Sequence, residues 1–177
     1  MSQAAAKAPP QGSPLWRFSL LLYAKPNVAN ACLALQDDVG ADINLLLFLL
    51  WEATQGRRVS LQELEDVEAQ IVCWRDRVVV PLRAVRRYLK VAPPPGDRVE
   101  VFRTRIKSLE LEAERLQQAA IYECAQTSLR SHQECAVQEA ARANLHVYAQ
   151  LLGTTFRAGA VETLFAALGG FERNREE

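Results

Sequence analysis

The chain has 177 residues, of which 49% are apolar and 24% are charged, and this composition excludes a wholly disordered protein. Its 21 Lys and Arg residues balance 21 Asp and Glu residues, so no overall field recruits nucleic acid or an anionic membrane. The strongest apolar run, Ile43 to Trp51, is too short to cross a bilayer, and Arg17 interrupts the apolar stretch that most resembles a secretory signal. We therefore expect a soluble, cytoplasmic protein with no nucleic-acid partner and no transmembrane segment.

The first part of the chain predicts a flexible tail over 1–14 and three helices. The first helix spans 15–23 behind Pro14, and the second is opened by Pro26 and interrupted by Gly40. Asp42 caps the third, Ile43 to Gln55, which is apolar almost all round. We expect this third helix at the centre of the fold.

The fourth helix begins at a capping box formed by Ser60 and Glu63. Its apolar stripe runs to Val78 and resumes at Leu82, and Pro81 between them lacks a backbone N–H. We therefore expect Pro81 to kink or split this helix, which ends before the proline-rich stretch at 93–96.

The second half has a different pattern, in which apolar residues alternate at spacings of four and three along a predicted helix from Asp97 to about Leu129. This heptad seam consists of Phe102, Ile106, Leu109, Ala113, Leu116 and Ala120. We expect a turn near 127–131, a second long helix over 137–152 and a short last helix over 161–168 that Gly169 and Gly170 end.

Together these elements predict a single all-α domain over 15–177 with six or seven helices. A compact helical core over 15–92 is followed by a long antiparallel hairpin and a terminal helix over 97–170. A heptad seam is satisfied within one chain or between two, so the pattern also leaves a homodimer open.

An acidic cluster precedes the third helix, and it has two interpretations. On a continuous helix Asp38 and Asp42 share a face and hold Mg²⁺. Alternatively, Asp42 is an N-cap and Asp38 is a solvated residue at a helix end, which Gly40 favours because it interrupts the helix.

A basic stripe on the fourth helix is the main candidate binding surface. It consists of Arg83, Arg86, Arg87 and Lys90, with Arg75 and Arg77 one or two turns earlier. Such a stripe binds an acidic protein or an anionic ligand, unless it is a solvated face paired with the acidic start of the same helix. The carboxylates Glu110, Glu112 and Glu114 are similarly interpreted as a solvated, salt-bridged face.

Catalytic and metal motifs give little support to an enzyme. The four cysteines form no CxxC pair, which predicts reduced, buried thiols. His132, His146, Cys124 and Cys135 lack the spacing of a zinc site, and no P-loop, dinucleotide motif or nucleophile elbow occurs.

Two resemblances can be stated on these residues. The first rests on a combined motif, which reads Tyr23-x-x-Pro26-x-Val28, Cys32-Leu33-x-Leu35-Gln36-Asp37-x-x-Gly40-x-Asp42-x-Asn44-Leu45-Leu46-Leu47, with Trp51, Gly56, Trp74 and Val79-x-Pro81-Leu82-Arg83-x-x-Arg86-x-x-Leu89-Lys90. This motif resembles that of a small proteobacterial family of unknown function. That match covers roughly 15–90.

The second rests on three short motifs, which are Asp37-Asp38-x-x-x-Asp42, Trp74-Arg75-Asp76 and Tyr122-Glu123-x-Ala125-x-Thr127. Their order along the chain is similar to that in helical squalene and phytoene synthases. This second resemblance implies a prenyl-diphosphate binder or Mg²⁺-dependent enzyme, with Asp38 and Asp42 on the metal. The chain is far shorter than those enzymes and contains no second aspartate motif. The first hypothesis is therefore a non-catalytic binding or scaffold protein that uses the basic stripe, and the prenyl-diphosphate binder is the alternative.

Overall fold

The structure, a computed structural model, describes residues 12–94, 98–128 and 135–172. These residues form helices and connecting turns with no strand among them, which confirms the all-α prediction. The helices are α1 (Pro14–Tyr23), α2 (Val28–Val39), α3 (Ile43–Thr54), α4 (Leu61–Trp74), α5 (Val80–Val91), α6 (Val99–Ser128), α7 (Val137–Leu151) and α8 (Ala158–Glu172), with a π-helical turn, Arg75–Val79, joining α4 to α5. Residues 1–11 of the predicted tail and most of the predicted turn at 127–131 lie outside the described residues.

Helix α3 lies at the centre of the fold, as its sequence predicts. Every residue from Asn44 to Thr54 is buried. Because the helix is apolar on all sides, it needs neighbours on all sides, and α1, α2, α6, α7 and α8 supply them. The Asp42 side chain caps α3 by accepting a 2.8 Å hydrogen bond from the Asn44 N–H, and Gly40 ends α2 in the left-handed conformation at φ 71°.

The pairing of the long helices differs from the prediction. Helix α6 packs in an antiparallel hairpin with α5 and then against α4, whereas α7 packs mainly on α3. The predicted hairpin of α6 with α7 is therefore wrong. A heptad pattern shows that a helix has an apolar face and does not identify the partner.

Two further details differ. Pro81 does not split its helix, because helical turns follow one another from Leu61 to Val91, but a π-helical turn, Arg75–Val79, replaces regular α-helix just before the proline. The last helix extends through Gly169 and Gly170 to Glu172 instead of ending at them. In the described residues no helix combines the length and the apolar character that crossing a membrane requires.

Candidate functional site

The π-helical turn Arg75–Val79 is the most unusual backbone feature of the fold. Its cause is Pro81, whose ring would strike the carbonyl group of Arg77 in a regular α-helix and which cannot donate to it. One widened turn removes this clash while the helix continues. Short π-helical turns are frequent at functional sites because they turn side chains away from their regular helical directions.

This turn borders a cleft of about 550 Å³, which we call the Arg75 cleft. Its walls come from the end of α2, the continuous helix α4–α5 and the end of α7. The lining includes Tyr148, three arginines and four acidic residues; the charged residues are Arg75, Arg83, Arg87, Asp37, Asp42, Glu68 and Asp76. The volume is in the range of small-molecule sites.

Arg75 is held in place by carboxylates on several sides. Its Nη1 lies 2.5 Å from Glu68 Oε1 and 3.9 Å from Asp42 Oδ2, and its Nε donates to Asp76 at 2.9 Å. Burial by itself lowers the pKa of the guanidinium, but the hydrogen bonds to Asp76 and Glu68 and the charges of Glu68 and Asp42 raise it overall. Arg75 is therefore a fixed positive charge in the cleft wall.

Arg83 and Arg86 face α6. Arg83 lies 3.2 Å from Glu110 and 2.7 Å from Glu114, and Arg86 donates to Glu110 as well. Glu110 is 5% exposed, and burial raises the pKa of Glu114 although Arg83 opposes the shift. The predicted solvated, salt-bridged face is confirmed as salt-bridged, but Glu110 is buried and Glu114 is half-buried where they join α5 to α6. Glu112 forms an exposed pair with Arg115.

Arg87 lies at the edge of the cleft. It forms a 3.1 Å ion pair with Asp37, and the two side chains are 49% and 59% exposed. Exposed pairs of this kind contribute little free energy, so a ligand can replace Asp37 at modest cost.

The structure thus divides the predicted basic stripe. Arg75, Arg83 and Arg87 line the Arg75 cleft, and Arg86 and Lys90 lie outside it. Lys90 is exposed and forms no ion pair with any residue of the described ranges.

Asp42 is the most strongly bonded carboxylate in the cleft. Its Oδ1 accepts from the Asn44 N–H, and its Oδ2 accepts a 2.6 Å hydrogen bond from Gln117. The Tyr148 hydroxyl accepts from the Asp42 N–H at 2.7 Å and donates to the Asp42 carbonyl oxygen at 3.3 Å. Burial raises the pKa of this phenol far above its usual value, so Tyr148 stays a neutral hydrogen-bonding group.

A chain of buried side-chain amides fixes Asp42 from behind, and the sequence analysis did not identify it. Ser19 donates to Gln118, Gln118 to Asn44, Asn44 to Gln117, and Gln117 to Asp42, at distances of 2.6 to 3.1 Å. One feature of the sequence points to this chain of amides, namely the two adjacent polar residues Gln117 and Gln118 on the apolar side of a long helix. Buried amides must find hydrogen-bond partners.

Asp38 and Asp42 are not brought together at the cleft. Asp38 pairs with Arg157 at 2.9 Å and does not line the cleft, while both oxygens of Asp42 already accept hydrogen bonds. Across residues 12–94, 98–128 and 135–172, no group of three or more His, Cys, Asp or Glu side chains is arranged to hold a metal ion. The geometry therefore matches the second interpretation of the acidic cluster, in which Asp42 is an N-cap.

The cysteine prediction is confirmed in part. All four cysteines lie in the described ranges and none of them is in a disulfide, but Cys73 is exposed and Cys124 and Cys135 are only partly covered. Cys32 alone is buried, and burial raises the pKa of its thiol to about 12. His132 lies outside the described residues, and His146 is exposed beside a smaller groove of about 370 Å³ between α7 and α8.

Comparison with known proteins gives one match. A family model described as "Protein of unknown function (DUF2390)" matches residues 14–121, which is more than half of the chain and includes α1 to α5 and most of α6. No curated protein and no solved structure matches the chain. The likeness to squalene and phytoene synthases therefore finds no support.

Proposed function

The chain belongs to the DUF2390 family of proteins of unknown function, and we propose that it is a binding protein whose Arg75 cleft holds a small ligand by an anionic group. The observation that carries this proposal is that three arginine residues line one cleft bordered by a π-helical turn. Arginine suits this task because its planar fork of N–H donors matches a carboxylate or a phosphate.

The carboxylates of the cleft narrow the class of ligand. Four acidic residues line the cleft beside three arginines, so the cleft has no excess of positive charge. A ligand with several negative charges, such as a diphosphate, would meet repulsion there. We therefore favour a ligand with one anionic group and a nearby hydrogen-bond donor, such as the ammonium group of a zwitterion.

Glu68 offers an acceptor for that donor. Its Oε1 is bound to Arg75, and its Oε2 is buried and has no hydrogen-bond partner within the described part of the chain. A buried polar atom without a partner costs free energy. A donor on the ligand would remove this cost while the anionic group binds Arg87 and Arg83.

The support for binding without catalysis is that the polar groups of the cleft are occupied in holding one another. Asp42 caps a helix, Tyr148 is bonded to the Asp42 backbone, and Glu68 and Asp76 hold Arg75. None of these groups is a nucleophile with an adjacent base. The prenyl-diphosphate alternative gains no support, since Asp38 and Asp42 take separate partners.

The test is a thermal-shift screen followed by calorimetry. The screen compares small carboxylates and phosphates with and without an ammonium group, and the best compound is titrated into wild type, Arg87→Gln and Arg77→Gln. Arg77 is the matched control because it is an exposed arginine on the π-helical turn beside the cleft and does not line the cleft. We expect Arg87→Gln to weaken binding about tenfold, a loss of one charged hydrogen bond, while Arg77→Gln binds like wild type.

Equal affinities of Arg87→Gln and Arg77→Gln would contradict the proposed site. If no small compound binds and an acidic peptide binds with the same dependence on Arg87, the partner is a protein segment and the class of ligand is wrong.

A further inference from the structure

The heptad seam of α6 is only partly used inside the chain. Ala113 is buried and Ile106 is half-buried against the neighbouring helices. Phe102, Leu109 and Leu116 are instead 51%, 55% and 44% exposed. We call these three residues the Leu109 stripe.

The Leu109 stripe is a continuous apolar line. At about 100° per residue, positions seven apart on an α-helix lie within roughly 40° of one another over two heptads. The Trp74 indole donates a 3.0 Å hydrogen bond to the Ala113 carbonyl oxygen, which places a second partly exposed aromatic ring beside the stripe. Apolar residues in a line of this kind are typical of a helix that packs against another helix.

We propose that two copies of this chain associate through the Leu109 stripe, with α6 against α6 in antiparallel orientation and Leu109 near the twofold axis. A twofold contact is self-complementary, so each residue before Leu109 meets one that follows Leu109 in the partner. Phe102 lies seven residues before Leu109 and Leu116 seven residues after it, so the two face each other across the axis.

The charges beside the stripe support a second copy as the occupant. Arg105 precedes Leu109 by four residues and Glu112 follows it by three, and both side chains are exposed. On the helical wheel both lie on the same flank of the stripe. In the antiparallel arrangement, Arg105 of one copy and Glu112 of the other are offset along the helix axis by only about 1.5 Å, the rise of one residue. Arg105 of each copy therefore meets Glu112 of the other. Opposite charges at these flanking positions set the partner and the orientation in coiled coils.

The first test is analytical ultracentrifugation of the full chain over about a hundredfold range of concentration. We expect wild type to form dimers as concentration rises and Leu109→Glu to remain monomeric. Leu111→Glu is the matched control, since Leu111 is 50% exposed on the opposite side of α6, and this variant should dimerise like wild type. A wild-type chain that stays monomeric throughout would overturn the proposal, as would equal dimerisation of the two Glu variants.

The second test addresses orientation by charge exchange. Arg105→Glu should weaken the dimer at least threefold because it places two carboxylates together, and adding Glu112→Arg to the same chain should restore it. No rescue by the double variant would overturn the antiparallel register.

The third test uses cysteine crosslinking in a Cys73→Ser background, which removes the exposed thiol. Leu109→Cys should form a disulfide-linked dimer. Phe102→Cys alone should not, whereas a mixture of Phe102→Cys and Leu116→Cys chains should. Self-linking of Phe102→Cys would indicate a parallel dimer and contradict the arrangement.

Discussion

The side-chain amide of Gln117 donates a 2.6 Å hydrogen bond to the carboxylate of Asp42, and this contact joins α6 to the first turn of α3. Both residues are buried, and the acceptor is the carboxylate that caps the central helix. The wall of the Arg75 cleft is therefore held from within the core, through a chain of amides that begins at Ser19 in α1.

Removal of Gln117 should destabilise the protein. Gln117→Leu leaves Asp42 Oδ2 without its closest donor and Asn44 Nδ2 without its acceptor. We expect a loss of roughly 3 kcal/mol in the free energy of unfolding, because two buried polar groups lose partners. Urea denaturation measures this, with Gln126→Leu as the control, since Gln126 is exposed on the same helix. Equal stabilities of the two variants would show that the amide chain contributes nothing.

Glu52 should make stability depend on pH. The side chain is fully buried, its Oε1 has no partner in the described ranges, and burial raises its pKa from 4.5 to about 7, although Arg57 partly opposes the shift. The folded state therefore holds the proton more tightly than the unfolded chain does. The stabilisation is complete below about pH 4.5 and is lost as the pH rises through about 7.

Glu52→Gln removes this ionisation, so the variant should be more stable than wild type above pH 7 by about 3 kcal/mol, with the difference vanishing towards pH 4.5. Denaturation curves across this range measure the effect. The exposed Glu65→Gln should show no such dependence. A constant difference between Glu52→Gln and wild type at all pH values would contradict the assignment.

The two neighbouring carboxylates of α6 should respond differently to the same substitution. Glu110 is buried between Arg83 and Arg86. Its replacement by Gln leaves the partly covered Arg86 without its carboxylate partner and leaves Arg83 with Glu114 alone. We expect Glu110→Gln to lose roughly 2 kcal/mol of stability. Within one copy of the chain Glu112 forms an exposed pair with Arg115, so Glu112→Gln should show no measurable change at concentrations where the chain is monomeric. Thermal denaturation of both variants distinguishes them, and similar melting temperatures would show that the α5–α6 ion pairs are not stabilising.

The cysteines should react in an order set by exposure. Cys73 is exposed and should be alkylated first, whereas Cys32 is buried and has a thiol pKa of about 12, so it holds almost no thiolate at neutral pH. A short pulse of iodoacetamide followed by peptide mass spectrometry gives the order. Modification of Cys32 in the folded protein at the rate of Cys73 would mean that the core opens readily.

Local signals predicted much of the fold. The capping box at Ser60 and Glu63, the cap at Asp42 and the stop at Gly40 all lie where the sequence placed them, because caps depend on short-range hydrogen bonds. The all-round apolar sequence of α3 likewise predicted its central position. Gly169 and Gly170 misled because glycine permits a helix end without imposing one.

The pairing of the helices and the contacts of the candidate site were harder to predict from the sequence. The alternation along α6 showed an apolar face but could not show that α7 would choose α3. In the basic stripe, Arg83 and Arg86 find their carboxylates 24 to 31 residues away on α6, which no local pattern reveals. The Gln117–Asp42 bond spans 75 residues for the same reason.

The proposed binding site is tested most directly by NMR of the arginine side chains. The Nε–H signals are followed while β-alanine, which has one carboxylate and one ammonium group, is added, and acetate serves as the comparison. We predict that the signals of Arg75, Arg83 and Arg87 shift together and saturate, more strongly with β-alanine than with acetate. The signal of Arg115, which lies outside the cleft, should stay fixed. Shifts spread evenly over all arginines, or none at the three cleft residues, would contradict the account.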